Sequence, residues 1–514
     1  MAAKVDYASS GLGDDGVERA FEVTLRGLRE STSPIEPHLV GDRRVESGQL
    51  IERFDACATS SRVGAAREAS AEVIADAVAA AKAAFKPWRA VPFADRVTRL
   101  RASGAEVQRQ FVAVAAVVSA ETGKTRLEAF GEVQEVIDMI EHYCSLMEEN
   151  NGYQAALKST DSEKNYDVLV PYGVFAVISP FNFPIALMVG MTVSALVTGN
   201  TVVVKPSEKT PRSTATIAEM LRNHLPTGVI NVIHGGAAVG AALVATDVDG
   251  IAFTGSAEVG WRLVESASPR GLPRPVLAEM GGQNPAIVAA SADLDDAASG
   301  IARSAFGLSG QKCSACRRVI VVDEVADDLI ERLVKTAEAL VVGDPLDRST
   351  YLGPVIDDAI ALRIDAALAT AEVDGSVLTG GRRDDLAGNF FSPIVVTGLP
   401  RGHALTRQEL FAPLLTVIRV STFDDAIDEA NDVQYGLSAG LFSADQQQID
   451  RFVDDIEAGV IYVNRAAGAT TGAWPGVQSF CGWKRSGSAG KGGLGYWYLP
   501  GFMKEQSRTI VVGR

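Results

Sequence analysis

From Val168 to Val204 the chain carries no charged residue. Such a run is long enough to cross a bilayer, so its punctuation decides what kind of molecule this is. Pro171, Pro180, Asn182, Pro184, Gly199 and Asn200 interrupt it, and each would leave backbone or amide groups without partners in lipid. The run therefore reads as a buried strand (Val174 to Ser179), a turn, a helix (Ile185 to Thr198) and a second strand (Thr201 to Lys205). β-Branched runs recur at 229–233 and 250–253, with helical spacing between them. Strand and helix in turn imply βαβ units on a parallel sheet. A second alternating region begins at Pro285-Ala286-Ile287-Val288 and continues through 318–322 to 460–463. A chain of 514 residues with 47% hydrophobic content can bury more than one core, which predicts two large α/β domains.

The flanks are simpler. Residues before about Leu50 are polar and glycine-rich and read as an arm over the surface. Ser70 opens an alanine-rich helix with apolar positions at Val73, Ile74, Ala77, Val78, Ala81 and Phe85, ended by Pro87. Further helix is expected over Arg96 to Glu121 and Arg126 to Glu149, and a strand over Tyr166 to Pro171. No internal repeat or low-complexity linker is present. The formal charge of −16, with no basic run, excludes nucleic acid and anionic membrane as partners. Five scattered cysteines and a start without an apolar run predict a reducing, cytoplasmic setting.

Chemistry concentrates first at Gly310-Gln311-Lys312-Cys313-Ser314-Ala315-Cys316. A redox or zinc Cys-x-x-Cys is one reading, but no second pair supplies zinc ligands, and no metal is expected. Cys316 reads as a buried core residue. The polar neighbours of Cys313 favour an accessible thiol whose thiolate is stabilised locally. Glu279 lies between Leu277-Ala278 and Gly281-Gly282, where a strand ends and the backbone turns, the usual location of site residues in parallel sheets. Taken alone it would equally serve as a helix cap or an ion-paired carboxylate. A cysteine with no histidine nearby, matched to such a glutamate, points to covalent thioester chemistry in which the carboxylate is the base.

Asn182 sits between two aromatics and two prolines in Ile178-Ser179-Pro180-Phe181-Asn182-Phe183-Pro184. Its burial is costly unless the amide has partners, so its donor is expected to be aimed at something, such as an oxyanion. Two strand ends suit a nucleotide. Lys205, Ser207 and Glu208 follow one strand, and Gly255-Ser256 open a helix after another, where free amides receive phosphate. A carboxylate at Glu208 suits ribose hydroxyls and repels a 2′-phosphate. A turn and a solvated charge pair are the plainer alternatives.

Together and in this order, these segments resemble the aldehyde dehydrogenase superfamily from about Leu50 onward. Gln408-Glu409-Leu410-Phe411-Ala412-Pro413 adds a sixth motif, with Ala412 in place of the family's glycine. The resemblance implies an α/β, aldehyde dehydrogenase-like fold: an arm (1–50), a Rossmann-type NAD-binding domain (51–151 and 172–281), an α/β catalytic domain (282–493), and a small β oligomerisation element (152–171 and 494–514). In that element Arg508 to Val512 would be a free strand in search of a partner, giving a homodimer or higher oligomer. It also implies Cys313 as nucleophile, Glu279 as the base for water, and an oxyanion held by Asn182 and the Cys313 N–H. NAD would contact Ile178, Ser179, Pro180, Phe181, Lys205, Ser207, Glu208, Gly255, Ser256, Gly281, Glu409 and Phe411.

Within the superfamily the chain looks most like the branch that oxidises glutamate γ-semialdehyde to glutamate in proline catabolism. There Ser314 and the Gly472 and Ala473 amides would grip the substrate carboxylate, and Phe183 and Phe480 would clamp its aliphatic part. Two departures fall on the loop that chooses the substrate. The segment between Arg465 and Gly472 is longer than in that branch, and Ser479-Phe480-Cys481-Gly482 stands where Pro-Phe-Gly-Gly is usual. Another semialdehyde, an aromatic aldehyde, acyl transfer to coenzyme A, and a non-catalytic protein on the same fold remain the alternatives.

Overall fold

The computed structural model describes residues 14–57, 59–268 and 271–512. Two seven-stranded sheets organise it. In the first, strands run in the order 276–279, 250–254, 174–178, 201–205, 230–232, 38–40, 43–45. The first five are mutually parallel, and His38–Val40 closes the far side antiparallel through Leu39 opposite Val232. The second sheet runs 376–382, 391–397, 414–420, 316–322, 284–288, 438–442, 460–463. Only its outer strand Ser376–Arg382 is antiparallel to its neighbour. The uncharged run forms the strand Val174–Ile178, the helix Ala186–Val197 and the strand Thr201–Lys205. Nearly all of that helix is buried, which is why it needs no polar face. Among the described residues, no helix is long and apolar enough to cross a membrane.

Three expectations change. Residues 14–45 are not a surface arm. Asp14 caps the helix Asp15–Glu30 by accepting from the Gly16 and Val17 N–H groups, and Phe21 and Leu25 are fully buried, Phe21 lying 5.3 Å from the Phe130 ring. Val17, Phe21, Leu25 and Leu28 recur at helical spacing inside a polar sequence, and that stripe docks the segment. Residues 1–13 of the expected arm lie outside the described residues.

The helix capped by Ser70 also runs through Pro87, to Ala90. Pro87 is on the exposed face, where water can take the carbonyl it orphans. The next residue, Trp88, is buried and donates its Nε1–H to the Leu196 carbonyl at 3.1 Å, pinning the last turn.

Finally, the C-terminal strand is not free. Met503–Val511 pairs antiparallel along the whole of Glu163–Pro171, and Gln154–Ala156 adds a third strand on the other side.

Candidate active site

The first sheet ends where the second begins. The strand Val276–Glu279 is followed by residues 280–283 and then by Asn284–Val288, so one short crossing joins the carboxyl edge of one sheet to the amino edge of the other. The crossing is too tight for side chains. A Cβ on Gly281 would lie 1.9 Å from Glu409 Oε2, and one on Gly282 would lie 2.5 Å from Asn284 Oδ1 and 2.9 Å from the Cys313 carbonyl. Asn284 fastens the crossing to the cysteine loop: its Nδ2 donates to the Cys313 carbonyl at 2.7 Å and to that of Ala315 at 2.9 Å.

The cysteine loop follows the helix Leu294–Phe306 and leads into the strand Cys316–Val322. Leu308, Ser309 and Gly310 are all left-handed, with φ of 53°, 50° and 68°, a costly backbone that persists only when its surroundings fix it. They do. Ser309 Oγ donates to the Gly353 carbonyl at 2.6 Å, and the buried Arg317 guanidinium donates to the carbonyls of Ala412, Gly310 and Lys312.

Cys313 and Glu279 line one cavity of about 210 Å³, together with Phe183, Ser314, Gly472, Ala473 and Phe480. The seven come from five separate stretches of the chain, each of which the sequence singled out. Burial pushes the Cys313 thiol up to about 12, with the Glu409 and Glu279 carboxylates adding to the shift and the N–H groups of Ser314 and Cys313 opposing it. Burial also raises Glu279 to about 7, against the hydrogen bond it accepts from the Gly493 N–H at 2.5 Å. A protonated thiol beside a carboxylate that ionises near neutrality is an arrangement in which the carboxylate can act as base.

Asn182 is buried, and its Nδ2 donates to the Gln311 carbonyl at 3.0 Å, two residues before Cys313. The amide is thus aimed at the cysteine loop, and one of its two N–H groups stays uncommitted in that bond.

The remaining candidates lie along the carboxyl edge of the first sheet. Sequence order reverses between Val174–Ile178 and Gly250–Thr254: one connection leads towards Thr201–Lys205 and the other returns to the opposite side. A crevice beyond the strand ends at such a reversal is where nucleotides bind in open parallel sheets. Ile178, Ser179, Pro180 and Phe181 lie on one side of it, Gly255 and Ser256 on the other. Ser256 caps the helix Ala257–Glu265 by accepting from Val259 N–H, and the remaining first-turn amides have no partner within the helix. Glu409 accepts from Gly282 N–H at 3.2 Å and is raised to about 7 by burial, eased by Arg317. Phe411 meets Phe181 edge to face at 5.9 Å. Lys205 is turned inward, donating to the carbonyls of Pro206 and Gly235 at 2.9 and 3.0 Å, while Ser207 accepts from Lys209 N–H and Glu208 is half-exposed.

Several supporting residues escaped the sequence. Lys124 and Glu132 form a fully buried ion pair. Glu132 accepts the N–H groups of Ile185 and Ala186, and the Lys124 ammonium sits 3.9 Å from the Phe183 ring centroid, so the pair sets the loop that carries Asn182. The Gly-Lys-Thr run at 123–125, breaking two long helices, was the available signal. The 466–471 segment is also tied down: Thr470 Oγ1 donates to the Ser314 carbonyl at 2.7 Å, and Arg465 donates to the carbonyls of Gly468 and Thr471. Cys481 donates to the Gly459 carbonyl at 3.3 Å.

Known proteins share this architecture. The aldehyde dehydrogenase family matches residues 44–507. The 1-pyrroline-5-carboxylate dehydrogenase of Geobacillus sp. (strain WCH70) is 36% identical over 500 residues, covering 96% of both chains. The crystal structure of 1-pyrroline-5-carboxylate dehydrogenase from Thermus with bound NAD superposes with a TM-score of 0.93 at 33% identity over 98% of each chain. Proline utilization A (PutA) from Bdellovibrio bacteriovorus superposes at 0.94 and 33% identity, and here the chain, covered to 98%, spans about half (53%) of a longer protein. With its two sheets joined edge to edge at a half-buried cysteine and glutamate, and with relatives that match it over nearly its whole length, this chain belongs to the aldehyde dehydrogenase family.

Proposed function

We propose that the chain is an NAD-dependent enzyme that oxidises glutamate γ-semialdehyde, the open form of 1-pyrroline-5-carboxylate, to glutamate. The observation that carries this reading is the meeting of Cys313 and Glu279 in one cavity with Ser314, Gly472 and Ala473 and with the rings of Phe183 and Phe480. A hydroxyl and two backbone amides suit a carboxylate, and two rings suit the short aliphatic chain between it and the aldehyde. The relatives named for this activity support the substrate.

The crevice at the strand reversal fits a dinucleotide. Gly281 and Gly255 leave room that side chains would fill, and the helix behind Ser256 offers amides to phosphate. Lys205 and Glu208 would hold the adenosine ribose, and Glu409 and Phe411 the nicotinamide end. When bound, the nicotinamide supplies a hydride acceptor for the aldehyde carbon.

The chain's own residues do the rest. Cys313 Sγ, its thiolate favoured by the N–H groups of Ser314 and Cys313, loses its proton to solvent and attacks the carbonyl carbon, while Glu279 stays ionised for the later step. The uncommitted Asn182 amide N–H and the Cys313 backbone N–H hold the resulting oxyanion. Once the carbon is oxidised to a thioester, Glu279 deprotonates the water that hydrolyses it, releasing the carboxylate and restoring the thiol.

The proposal extends to the rest of the molecule: a cofactor-binding domain around the first sheet, a catalytic domain around the second, and the three-stranded sheet 154–156, 163–171 and 503–511 as a subunit contact in a cytoplasmic homo-oligomer. Comparing kcat/KM for glutamate γ-semialdehyde, succinate and aminoadipate semialdehydes, and uncharged aldehydes tests the substrate. Glutamate γ-semialdehyde should lead, and a lead by uncharged aromatic aldehydes would overturn the carboxylate anchor. Light scattering at micromolar concentration tests assembly, and a monomer defeats it.

A further inference from the structure

The cavity that holds Cys313 is lined by three basic side chains, Arg303, Lys312 and Arg465, and they are not equivalent. Lys312 is engaged with Glu128, its ammonium 3.5 Å from the carboxylate. Arg465 is spent on the loop: it donates to the Gly468 and Thr471 carbonyls, and its guanidinium lies 5.3 Å from the Tyr462 ring centroid. Arg303 has neither arrangement. It is half-buried, and among the described residues its guanidinium has no hydrogen-bond or ion-pair partner.

Its position is informative. Arg303 and Gly307, four residues apart at the end of the helix Leu294–Phe306 and just past it, both face the cavity. Gly307 has no side chain to separate Arg303 from Lys312; a Cβ there would sit 2.8 Å from the Lys312 ammonium. The adjacent Ser304 holds the 470–471 segment, its Oγ accepting from Thr470 N–H at 3.1 Å and lying 3.2 Å from Thr471 Oγ1, directly before Gly472 and Ala473. The helix turn that presents Arg303 therefore also fixes the loop of amides. Those amides and the Ser314 hydroxyl are neutral donors, which orient a carboxylate but contribute no net charge. An uncommitted guanidinium half-screened from water costs desolvation unless an anion joins it.

We propose that Arg303 is a specificity residue that binds the carboxylate of the substrate, so that the cavity selects aldehydes carrying an anionic group over neutral ones of the same length. The inference rests on the substrate reading above and adds to it the residue that supplies the charge. It makes selectivity partly electrostatic, and hence dependent on ionic strength.

The test is the ratio of kcat/KM for glutamate γ-semialdehyde to that for pentanal, measured with NAD in the unaltered enzyme, in Arg303→Met and in Arg303→Lys. Losing a charge-assisted hydrogen bond should lower the ratio roughly 10- to 100-fold in Arg303→Met. Arg303→Lys, which keeps the charge and the bulk, should recover part of it. Raising the salt from low to 0.5 M should lower the ratio in the unaltered enzyme and leave Arg303→Met nearly flat. A ratio in Arg303→Met within twofold of the unaltered enzyme, including one in which both substrates weaken together, overturns the inference. Preference for pentanal in the unaltered enzyme overturns the substrate reading instead, so the two failures are distinguishable.

Discussion

The two seven-stranded sheets are alike in size and in their parallel cores, yet they meet the cavity with opposite edges. The first offers the carboxyl ends of its strands, with Thr254 and Glu279 in the cavity wall and Ile178 and Lys205 along the adjoining crevice. The second offers amino ends: Cys313 stands just before the strand Cys316–Val322, and residues 280–283 just before Asn284–Val288. At a carboxyl edge, helices begin and their free amides point outward, which suits phosphates. An amino edge has no such donors, so the second sheet presents its cysteine on a left-handed loop clamped by Arg317 and Asn284. Half of the cavity is thus made by a rule of the fold and half by a costly local conformation.

Breaking the clamped half should be most damaging. Cys313→Ala removes the nucleophile and should lower kcat by on the order of 10⁴-fold or more, while NAD binding, followed by fluorescence titration, survives because it belongs to the other edge. Glu279→Gln sits on the boundary between the halves. It should lower kcat roughly 10²- to 10⁴-fold, and rapid mixing should reveal a burst of NADH before a slow steady state, since hydrolysis suffers more than hydride transfer.

The pH profile sharpens the same point. A carboxyl raised to about 7 is protonated, and useless as a base, below that value. In the unaltered enzyme kcat should therefore fall as pH drops through about 7. A profile flat from pH 5 to 8 would remove Glu279 from the limiting step. Gly472→Ala is the mildest of these changes. The new methyl would meet the Arg465 guanidinium at 2.5 Å, at a residue with φ of 111°. A cost of about 1–3 kcal/mol is expected as a lowered melting temperature, with a raised KM for the carboxylated substrate.

The first sheet was readable from the sequence because its strands are short β-branched runs between helical ones, and because nothing charged intrudes from Val168 to Val204. Cys313, Glu279 and Asn182 stood out because each is a reactive or polar residue where packing alone does not require one. What could not be read depends on partners far away in the chain. Lys124 and Glu132 look like surface charges until each is seen to neutralise the other in the core. The Asn182 amide finds its acceptor at Gln311, which no local pattern announces. Residues 15–30 read as a surface arm because charges outnumber the stripe of Val17, Phe21, Leu25 and Leu28 that docks them.

The pairing of Met503–Val511 with Glu163–Pro171 bears on how the molecule comes to be made. During synthesis the strand 163–171 leaves the ribosome long before its partner, so one of its edges waits, unpaired, while most of the chain is still being translated. An exposed edge of that length is a template for any other strand, including the same segment of a neighbouring nascent chain. Its charged and polar residues, Glu163, Lys164, Asn165 and Asp167, discourage that pairing in the interval. Fidelity of assembly in this protein is thus a matter of timing as much as of complementarity.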